Sequence, residues 1–300
     1  MRIVHSSDSS SGVPSPVIRD AIEAVSEARL RGWVKWVAVP RNFYAEPESN
    51  RETARWLRDQ LREWGYEVIK QGPLGNIIAL PKRRRSELIL VGAHYDSVPE
   101  TPGADDNASA VAAMLCCAEI VAKSMREAPV CFVAFNCEEN GLEGSIDFVG
   151  NYLNEAKLVI SQAHILEMVG FANAAPGSQK VPTGLPIRIP DTGDFLGLLA
   201  NRDSARHLNF TLAQARTYLP DFKVIGLEAA SGVEKLLPVL ARSDHAPFWH
   251  RRIPALMWTD TSEFRNHNYH RVTDTPETLD YRFLRRVAQL LIATVAEQAR

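Results

Sequence analysis

Apolar residues recur at helical spacing in several parts of the chain. Between residues 17 and 37 they stand at positions 18, 22, 25, 30 and 34, and this period predicts a first helix. A second helix is predicted from about residue 49 to residue 64, where Gly65 ends it. The same pattern predicts five more helices, over residues 108–125, 142–158, 195–207, 232–240 and 276–300.

Short runs of β-branched and other apolar residues alternate with these helices. They predict strands over residues 66–69, 76–80, 88–93, 130–135, 163–169 and 255–259. Because strands that alternate with helices form sheets covered on both faces, we predict an α/β fold. The predicted architecture is a three-layer α/β/α single domain with a mixed, mostly parallel central sheet. Residues 171–192, rich in Pro, Gly and Ser, interrupt the alternation and predict a surface excursion.

The composition is that of a folded domain. Of the 300 residues, 45% are hydrophobic and 23% are charged, which excludes a disordered or fibrous chain. We predict one domain over residues 16–300, preceded by a flexible polar arm over residues 1–15. A net charge of -2 gives no overall positive electrostatic potential that would attract nucleic acid or an anionic membrane, so neither is expected as a partner. The N-terminus lacks the apolar run of a signal peptide, which favours a cytoplasmic location.

Metal-binding residue types follow one predicted strand after another. LILVGA is followed by His94 and Asp96, VCFVAFN by Glu138 and Glu139, and HIL by Glu167. In open α/β sheets ligands bind beyond the carboxyl ends of the strands, so we expect these groups to converge there. Carboxylates and imidazoles in one crevice indicate a divalent metal. The four cysteines show no CxxC spacing and are predicted to be buried free thiols.

Each of these groups also has a purely structural explanation. His94 and Asp96 are two residues apart on an extended backbone, so Asp96 can accept from one ring nitrogen and leave the other for a metal. The alternative is a buried histidine satisfied by its neighbour. Glu138 and Glu139 diverge, so one can bind metal while the other acts as a general base, unless both are solvated acids. Glu167 is either a ligand or part of a buried salt bridge, because an unpaired buried carboxylate is costly.

Further candidates lie in loops. Asp105 and Asp106 precede the helix predicted from residue 108, where capping explains one carboxylate and the other can bridge two cations. Late in the chain stand Asp244, His245, His267 and His270. A late histidine can supply the second imidazole of a two-metal site, and the spacing does not choose between them.

Six motifs, in order and spacing, resemble the co-catalytic zinc aminopeptidases of the bacterial leucyl aminopeptidase type. They are HYDSV, GADDNASA, EENGLEGS, LEMVG, SDHAPFW and NYHRVTDTPETLDY. The wider family includes glutamate carboxypeptidase II and the glutaminyl cyclases, and the resemblance extends from about residue 51 to residue 284.

The resemblance implies a role for each motif residue. It implies that His94 binds one zinc ion and that Asp106 bridges two. It makes Glu138 the catalytic base and Glu139 a zinc ligand. The last imidazole becomes His270 rather than His245. Because of its position beside His94 in the sequence, we also count Asp96 with Glu138 among the catalytic residues.

The chain departs from the family pattern at several positions. The best-known members have Asp where this chain has Glu167, so one extra methylene must be accommodated, and we expect Glu167 to be a ligand nevertheless. His267 and Arg271 stand where many relatives have proline and threonine, and Ala110 replaces a glycine. Specificity for the substrate side chain is expected from loops such as residues 171–192 and 210–235, whose sequences do not indicate which side chain is preferred.

Together these features imply an exopeptidase with two zinc ions per chain that acts on peptides with a free N-terminus. The alternatives are a single-zinc glutaminyl cyclase, a carboxypeptidase with the same metal core, and a metal-free binding module with the same fold. The zinc content separates a peptidase (two ions) from a cyclase (one) and from a module without metal. The sequence does not indicate the oligomeric state, the native metal or the preferred N-terminal residue.

Overall fold

A nine-stranded sheet forms the centre of the fold in the computed structural model, which describes residues 1–83, 85–184, 187–230, 232 and 237–300. In chain order the strands are β1 (Arg2–His5), β2 (Glu67–Gln71), β3 (Asn76–Leu80), β4 (Leu88–His94), β5 (Val130–Phe135), β6 (Ile160–Leu166), β7 (Leu196–Ala200), β8 (Val224–Glu228) and β9 (Ala255–Thr259). Their order across the sheet is β1-β8-β7-β9-β6-β4-β5-β3-β2.

Parallel pairs occupy the centre of the sheet. β4 pairs in parallel with β5 and β6, β6 pairs in parallel with β9, and β7 runs parallel to β8. The pairs β1 with β8, β2 with β3, β3 with β5 and β7 with β9 are antiparallel. The predicted mixed sheet is confirmed, but among the described strands parallel and antiparallel pairs are equally frequent. β5 and residues 88–93 of β4 are unbroken runs without a polar side chain because both faces of these strands are covered.

Helices cover both faces, which confirms the predicted three layers. They are α1 (Pro16–Glu23), α2 (Glu27–Val37), α3 (Pro47–Glu63), α4 (Ala110–Ser124), α5 (Glu143–Asp147), α6 (Leu153–Glu155), α7 (Ala205–Tyr218), α8 (His245–His250) and α9 (Tyr281–Gln298). The core of one face contains side chains of α1 to α4, α7 and α9, and the other core contains those of residues 148–153 and α8. Consecutive residues of β3 enter opposite cores, as alternation along a strand requires.

Three predicted helices differ from the structure. The helix predicted over residues 17–37 is two helices, because Ser26 caps α2 by accepting a hydrogen bond from the Arg29 amide. The helix predicted over residues 195–207 is wrong, since these residues form β7 and the start of α7. A short apolar run such as LGLLA fits a buried strand or a helix equally well. Of the helix predicted over residues 232–240, residues 233–236 lie outside the described part of the chain.

The N-terminal arm is part of the sheet. Arg2–His5 pairs antiparallel with β8, so the prediction of a flexible arm over residues 1–15 is wrong for this strand. A strand of four residues is too short for its alternation to stand out in the sequence. The segment 210–235, predicted to be a loop, contains most of α7 and all of β8.

The segment Ala104–Ser124 passes through the interior of the fold. By length and composition it is apolar enough to cross a membrane, although no membrane span was predicted. Of its most apolar window, 89% is buried inside the protein, as in the core helix of a folded domain. All four cysteines are buried free thiols, as predicted.

Candidate metal centre

The carboxyl ends of three adjacent parallel strands bring the predicted site residues together. His94 is the last residue of β4, Glu138 follows β5 by three residues, and Glu167 directly follows β6. Because β5, β4 and β6 are neighbours in the sheet, these three side chains share one edge of it. We call His94, Asp106, Glu138, Glu139, Glu167 and His270 the candidate metal centre.

Asp106 lies between two imidazoles. Its Oδ1 is 3.3 Å from His94 Nε2, and its Oδ2 is 3.3 Å from His270 Nε2. His94 Nε2 is also 3.4 Å from Glu167 Oε2, and His270 Nε2 is 3.4 Å from Glu139 Oε2. The residues therefore form two groups, each of one histidine and one glutamate, which share Asp106.

The geometry of these groups fits a divalent cation. Two ligand atoms about 2.1 Å from a tetrahedral zinc ion stand roughly 3.4 Å apart, which is the spacing observed here. His94 Nε2 is buried and lacks a hydrogen-bond partner in the described part of the chain, as do Asp106 Oδ1 and Glu139 Oε1. Buried polar atoms are normally satisfied, so a cation that accepts these lone pairs explains them.

Asp96 connects two of the site's loops. Its Oδ1 lies 3.3 Å from His94 Nδ1, on the side of the ring that faces away from Asp106. The same carboxylate accepts hydrogen bonds from the backbone N–H groups of Glu138 (3.3 Å) and Glu139 (3.2 Å). That Asp96 orients His94 and leaves Nε2 for a metal stays a prediction, for which this contact is the geometric basis.

The turn that carries Asp106 is held by side chains that sequence reasoning did not single out. Asp274 accepts hydrogen bonds from the backbone N–H groups of Asp105 and Asp106, at 3.0 to 3.1 Å. The Asn107 side chain donates to the Leu166 carbonyl and accepts from the Met168 amide. The Asp106–Asn107 peptide bond is cis.

Asp105 does not cap α4, although helix capping was one explanation for the aspartate pair. Its buried carboxylate accepts hydrogen bonds from Gly170 N (2.9 Å) and Asn266 Nδ2 (2.7 Å). Arg41, also missed, donates from its buried guanidinium to the Tyr95 and Gly103 carbonyls, which ties the loop after β4 to the Asp106 turn. A single arginine within the apolar stretch VAVPRNF was the available signal.

Three residues of the site's loops have left-handed backbones. Cys137, which precedes Glu138, has φ 58°, Met168, which follows Glu167, has φ 47°, and His270 itself has φ 55°. Non-glycine residues adopt this conformation rarely, and such strain concentrates at functional sites. Each of these turns directs an acidic or imidazole side chain towards the same point.

The geometry distinguishes the three late histidines. His270 is 38% exposed and contacts both Asp106 and Glu139. His245 is fully buried, its Nε2 lies 3.0 Å from the Leu240 carbonyl oxygen, and its ring packs against Trp249. His267 is exposed and packs against Phe171. Of the three, only His270 joins the candidate metal centre, as the family resemblance implied.

The centre concentrates negative charge in a buried place. Burial raises the pKa of Glu138 well above its usual range, His94 opposes this rise, and Glu167 and Glu139 add to it. At Asp106 burial acts in the same direction, but the imidazoles of His270 and His94, each about 3.3 Å away, outweigh it and lower the pKa. Ser243 supplies a further hydrogen bond, from its hydroxyl to Glu167 Oε2 at 2.7 Å. Several carboxylates facing one another favour a bound cation.

The chain matches a known protein family over most of its length. The model of peptidase family M28 matches residues 76–194 and 198–295. The uncharacterized protein YfbL of Escherichia coli K12 is 33% identical over 260 residues, which cover 80% of this chain and 78% of that protein. Aminopeptidase YwaD of Bacillus subtilis 168 is 39% identical over 99 residues, which cover 32% of this chain and 22% of that protein.

Solved structures share the fold. The LapA aminopeptidase of Legionella pneumophila has a TM-score of 0.74 at 19% identity, covering 94% of this chain and 74% of that one. A glutaminyl cyclase of Porphyromonas gingivalis has a TM-score of 0.67 at 19% identity, covering 91% and 99%. BSAP, a zinc aminopeptidase of Bacillus subtilis, has a TM-score of 0.52 at 25% identity, covering 75% and 50%. The first two are likenesses of fold alone.

Proposed function

The chain belongs to peptidase family M28, and we propose that this zinc-dependent aminopeptidase removes N-terminal residues from peptides with two zinc ions per chain. The observation that carries the proposal is Asp106, with one oxygen near each of two imidazoles. His94 and Glu167 would complete the ligands of one ion, and His270 and Glu139 those of the other. A carboxylate shared between two such groups is suited to bridging a pair of cations.

Glu138 is the residue that we assign to proton transfer. Zinc, when bound, supplies Lewis acidity for the scissile carbonyl and lowers the pKa of water at the site. The Glu138 carboxylate takes a proton from the attacking water as its oxygen bonds to the carbonyl carbon. When the C–N bond breaks, Glu138 gives that proton to the leaving amine and returns to the carboxylate form.

Several acidic side chains also explain why the substrate needs a free N-terminus. The α-ammonium group of a peptide carries a positive charge, and the carboxylates of the candidate metal centre attract it. An internal peptide bond has no such charge next to its carbonyl carbon. The proposed activity is therefore that of an exopeptidase.

The proposal is tested by zinc content and product release together. We expect two zinc ions per chain by mass spectrometry, release of p-nitroaniline from aminoacyl p-nitroanilides, loss of activity with 1,10-phenanthroline and recovery when zinc is returned. One zinc ion per chain with ring closure of N-terminal glutaminyl peptides would instead identify a glutaminyl cyclase. A chain that takes up no zinc would be a binding module.

Glu167 gives a second test, because its extra methylene departs from the family pattern. The Ser243 hydroxyl holds Glu167 Oε2, and the same oxygen lies 3.4 Å from His94 Nε2. We expect Glu167→Ala to lose one of two zinc ions and Glu167→Asp to retain it in part. The exposed glutamate variant Glu155→Ala should keep both ions.

For these three variants we measure the zinc content by mass spectrometry and the zinc affinity by titration. Unchanged zinc content in Glu167→Ala would make Glu167 structural. The same conclusion would follow from a zinc-bound structure in which no Glu167 oxygen lies within about 2.5 Å of either ion.

A further inference from the structure

A cavity of about 500 Å³ adjoins the candidate metal centre. It falls in the size range of pockets that enclose whole small molecules, so it is much larger than one leucine side chain. The carboxylates of Asp106, Glu139 and Glu167 line one part of it. The same space is therefore open to a group carried by a substrate at the metal centre.

The floor of the cavity is a row of residues that crosses the sheet. Leu166 of β6 pairs with Trp258 of β9, and the residues that follow them are Glu167 and Thr259. Thr259 pairs with Gly197 of β7, which in turn pairs with Ile225 of β8. Three steps between strands at about 4.8 Å each place Ile225 roughly 14 Å from the Glu167 position. Gly197 adds no side chain to this row, which leaves space beside the metal centre.

A second row extends the floor to the edge of the sheet. Its paired residues, from β9 to β1, are Met257, Leu199, Leu227 and Ile3. All four side chains are apolar, and all four line the cavity. The N-terminal strand β1 thus supplies the far wall through Ile3.

The described residues of the excursion predicted over residues 171–192 form part of the cavity wall. The buried Gln179 side chain donates to Thr261 Oγ1 (2.9 Å) and accepts from Arg265 Nε (3.0 Å), which attaches the excursion to the loop after β9. Ile187 and Ile189 of the excursion line the cavity from above. A second wall comes from Val239 and Leu240.

Charge is distributed unevenly along the cavity. The acids and His270 of the metal centre lie at one part, whereas both rows beyond Thr259 are apolar. Lys180 and Arg242 also line the cavity. Lys180 is exposed to solvent, and the Arg242 guanidinium is paired with Glu263 and the Tyr269 hydroxyl. A ligand that fits this distribution has an ammonium group and a reactive carbonyl at one end and a long apolar group at the other.

We propose that the cavity is an extended subsite for the side chain of the substrate's N-terminal residue, and that it selects apolar side chains longer than that of leucine. The inference rests on the proposed aminopeptidase function. The side chain of the N-terminal residue branches one bond from the reacting carbonyl carbon, so it enters the adjoining space while the ammonium group stays at the carboxylates. The remainder of the peptide leaves towards solvent.

The test uses p-nitroanilides of straight-chain L-amino acids with five, six, eight and ten carbon atoms. Burying each added methylene gains about a fourfold factor, so kcat/KM should rise by roughly that factor per methylene up to ten carbons. A maximum at five or six carbons, with hydrolysis of the short substrates intact, would overturn the inference and leave the proposed function standing. The inference would also be overturned if the hydrolysis of dipeptide amides depended on side-chain length only at the second residue.

A binding measurement without turnover accompanies the kinetics. By calorimetry on the zinc-loaded protein, L-2-aminooctanoic acid should bind on the order of tenfold more tightly than L-norleucine, which has two fewer methylenes. Equal affinities would overturn the inference even if no substrate were hydrolysed. Absence of hydrolysis across the series, with the binding preference present, would contradict the proposed function alone.

Two variants fill the far part of the cavity. Leu227→Trp and Ile3→Trp should remove the gain between six and ten carbons while the five-carbon substrate is still hydrolysed. Ile3 lies on an edge strand, so its variant serves if Leu227→Trp does not fold. Val17→Trp, at a side chain 64% exposed on α1, is the matched control and should keep the full gain. A retained gain in both cavity variants would overturn the inference.

Discussion

Replacing Glu138 by Gln is expected to lower kcat by at least about 10²-fold while the protein keeps its zinc. Glu138 Oε2 lies 4.0 Å from His94 Nε2, farther than the Asp106 and Glu167 oxygens at 3.3 and 3.4 Å. It is therefore placed beside the proposed ligands rather than among the nearest ones. The amide of Gln fills the same volume but cannot take a proton from water.

Steady-state kinetics, zinc content and thermal unfolding of this variant are measured together. Glu155→Gln, at an exposed position, controls for the substitution itself and should match wild type in all three. The backbone at Glu138 is held by Asp96, so the variant is expected to fold. A kcat near that of wild type, at unchanged zinc content, would remove Glu138 from the mechanism.

Replacing His270 by Ala is expected to remove one of the two zinc ions and to lower kcat/KM by at least about 10²-fold. The reaction is expected to slow because one of the two positive charges beside the substrate is lost. The His270 ring lies 3.3 and 3.4 Å from the carboxylates of Asp106 and Glu139. No second imidazole among the described residues is placed to replace it, since His245 points its Nε2 at the Leu240 carbonyl.

His267→Ala is the matched control for this experiment. It removes an imidazole from the same loop, at an exposed position three residues earlier, and should retain both ions and the activity. Zinc titration by calorimetry and kinetics at saturating zinc separate loss of affinity from loss of function. Equal zinc occupancy in wild type and His270→Ala would refute the assignment of the second imidazole.

The sequence predicts the centre of the fold well because the relevant signals are local there. β3, β5 and β9 begin and end at the predicted residues, since each is a short apolar run between turn residues. His94, Glu138 and Glu167 could be predicted as neighbours because polar groups at the ends of parallel strands meet at one edge. His270 required the family resemblance, because the sequence spacing does not choose among His245, His267 and His270.

Other parts of the site depend on contacts between residues far apart in the chain. Asp274 binds the backbone of Asp105 across 169 positions, and Arg41 reaches Gly103 across 62. No spacing rule connects such residues. The cavity is likewise assembled from four strands and several loops, so no single stretch of sequence indicates it. Strand β7 was misassigned because its apolar residues satisfy the helical and the strand pattern together.

The strand β1, which ends the row at Ile3, also protects the protein from association with other chains. It is the outermost strand on its side of the sheet, it has only four residues, and it carries Arg2 and His5 at its ends. Short edge strands with charged or polar residues at their ends are poor templates for pairing with a strand of another chain. Without these residues, β8 would present its unpaired backbone groups and the apolar Ile225 and Leu227 at the edge. Residues 2–5 thus pair with β8 and keep its edge covered.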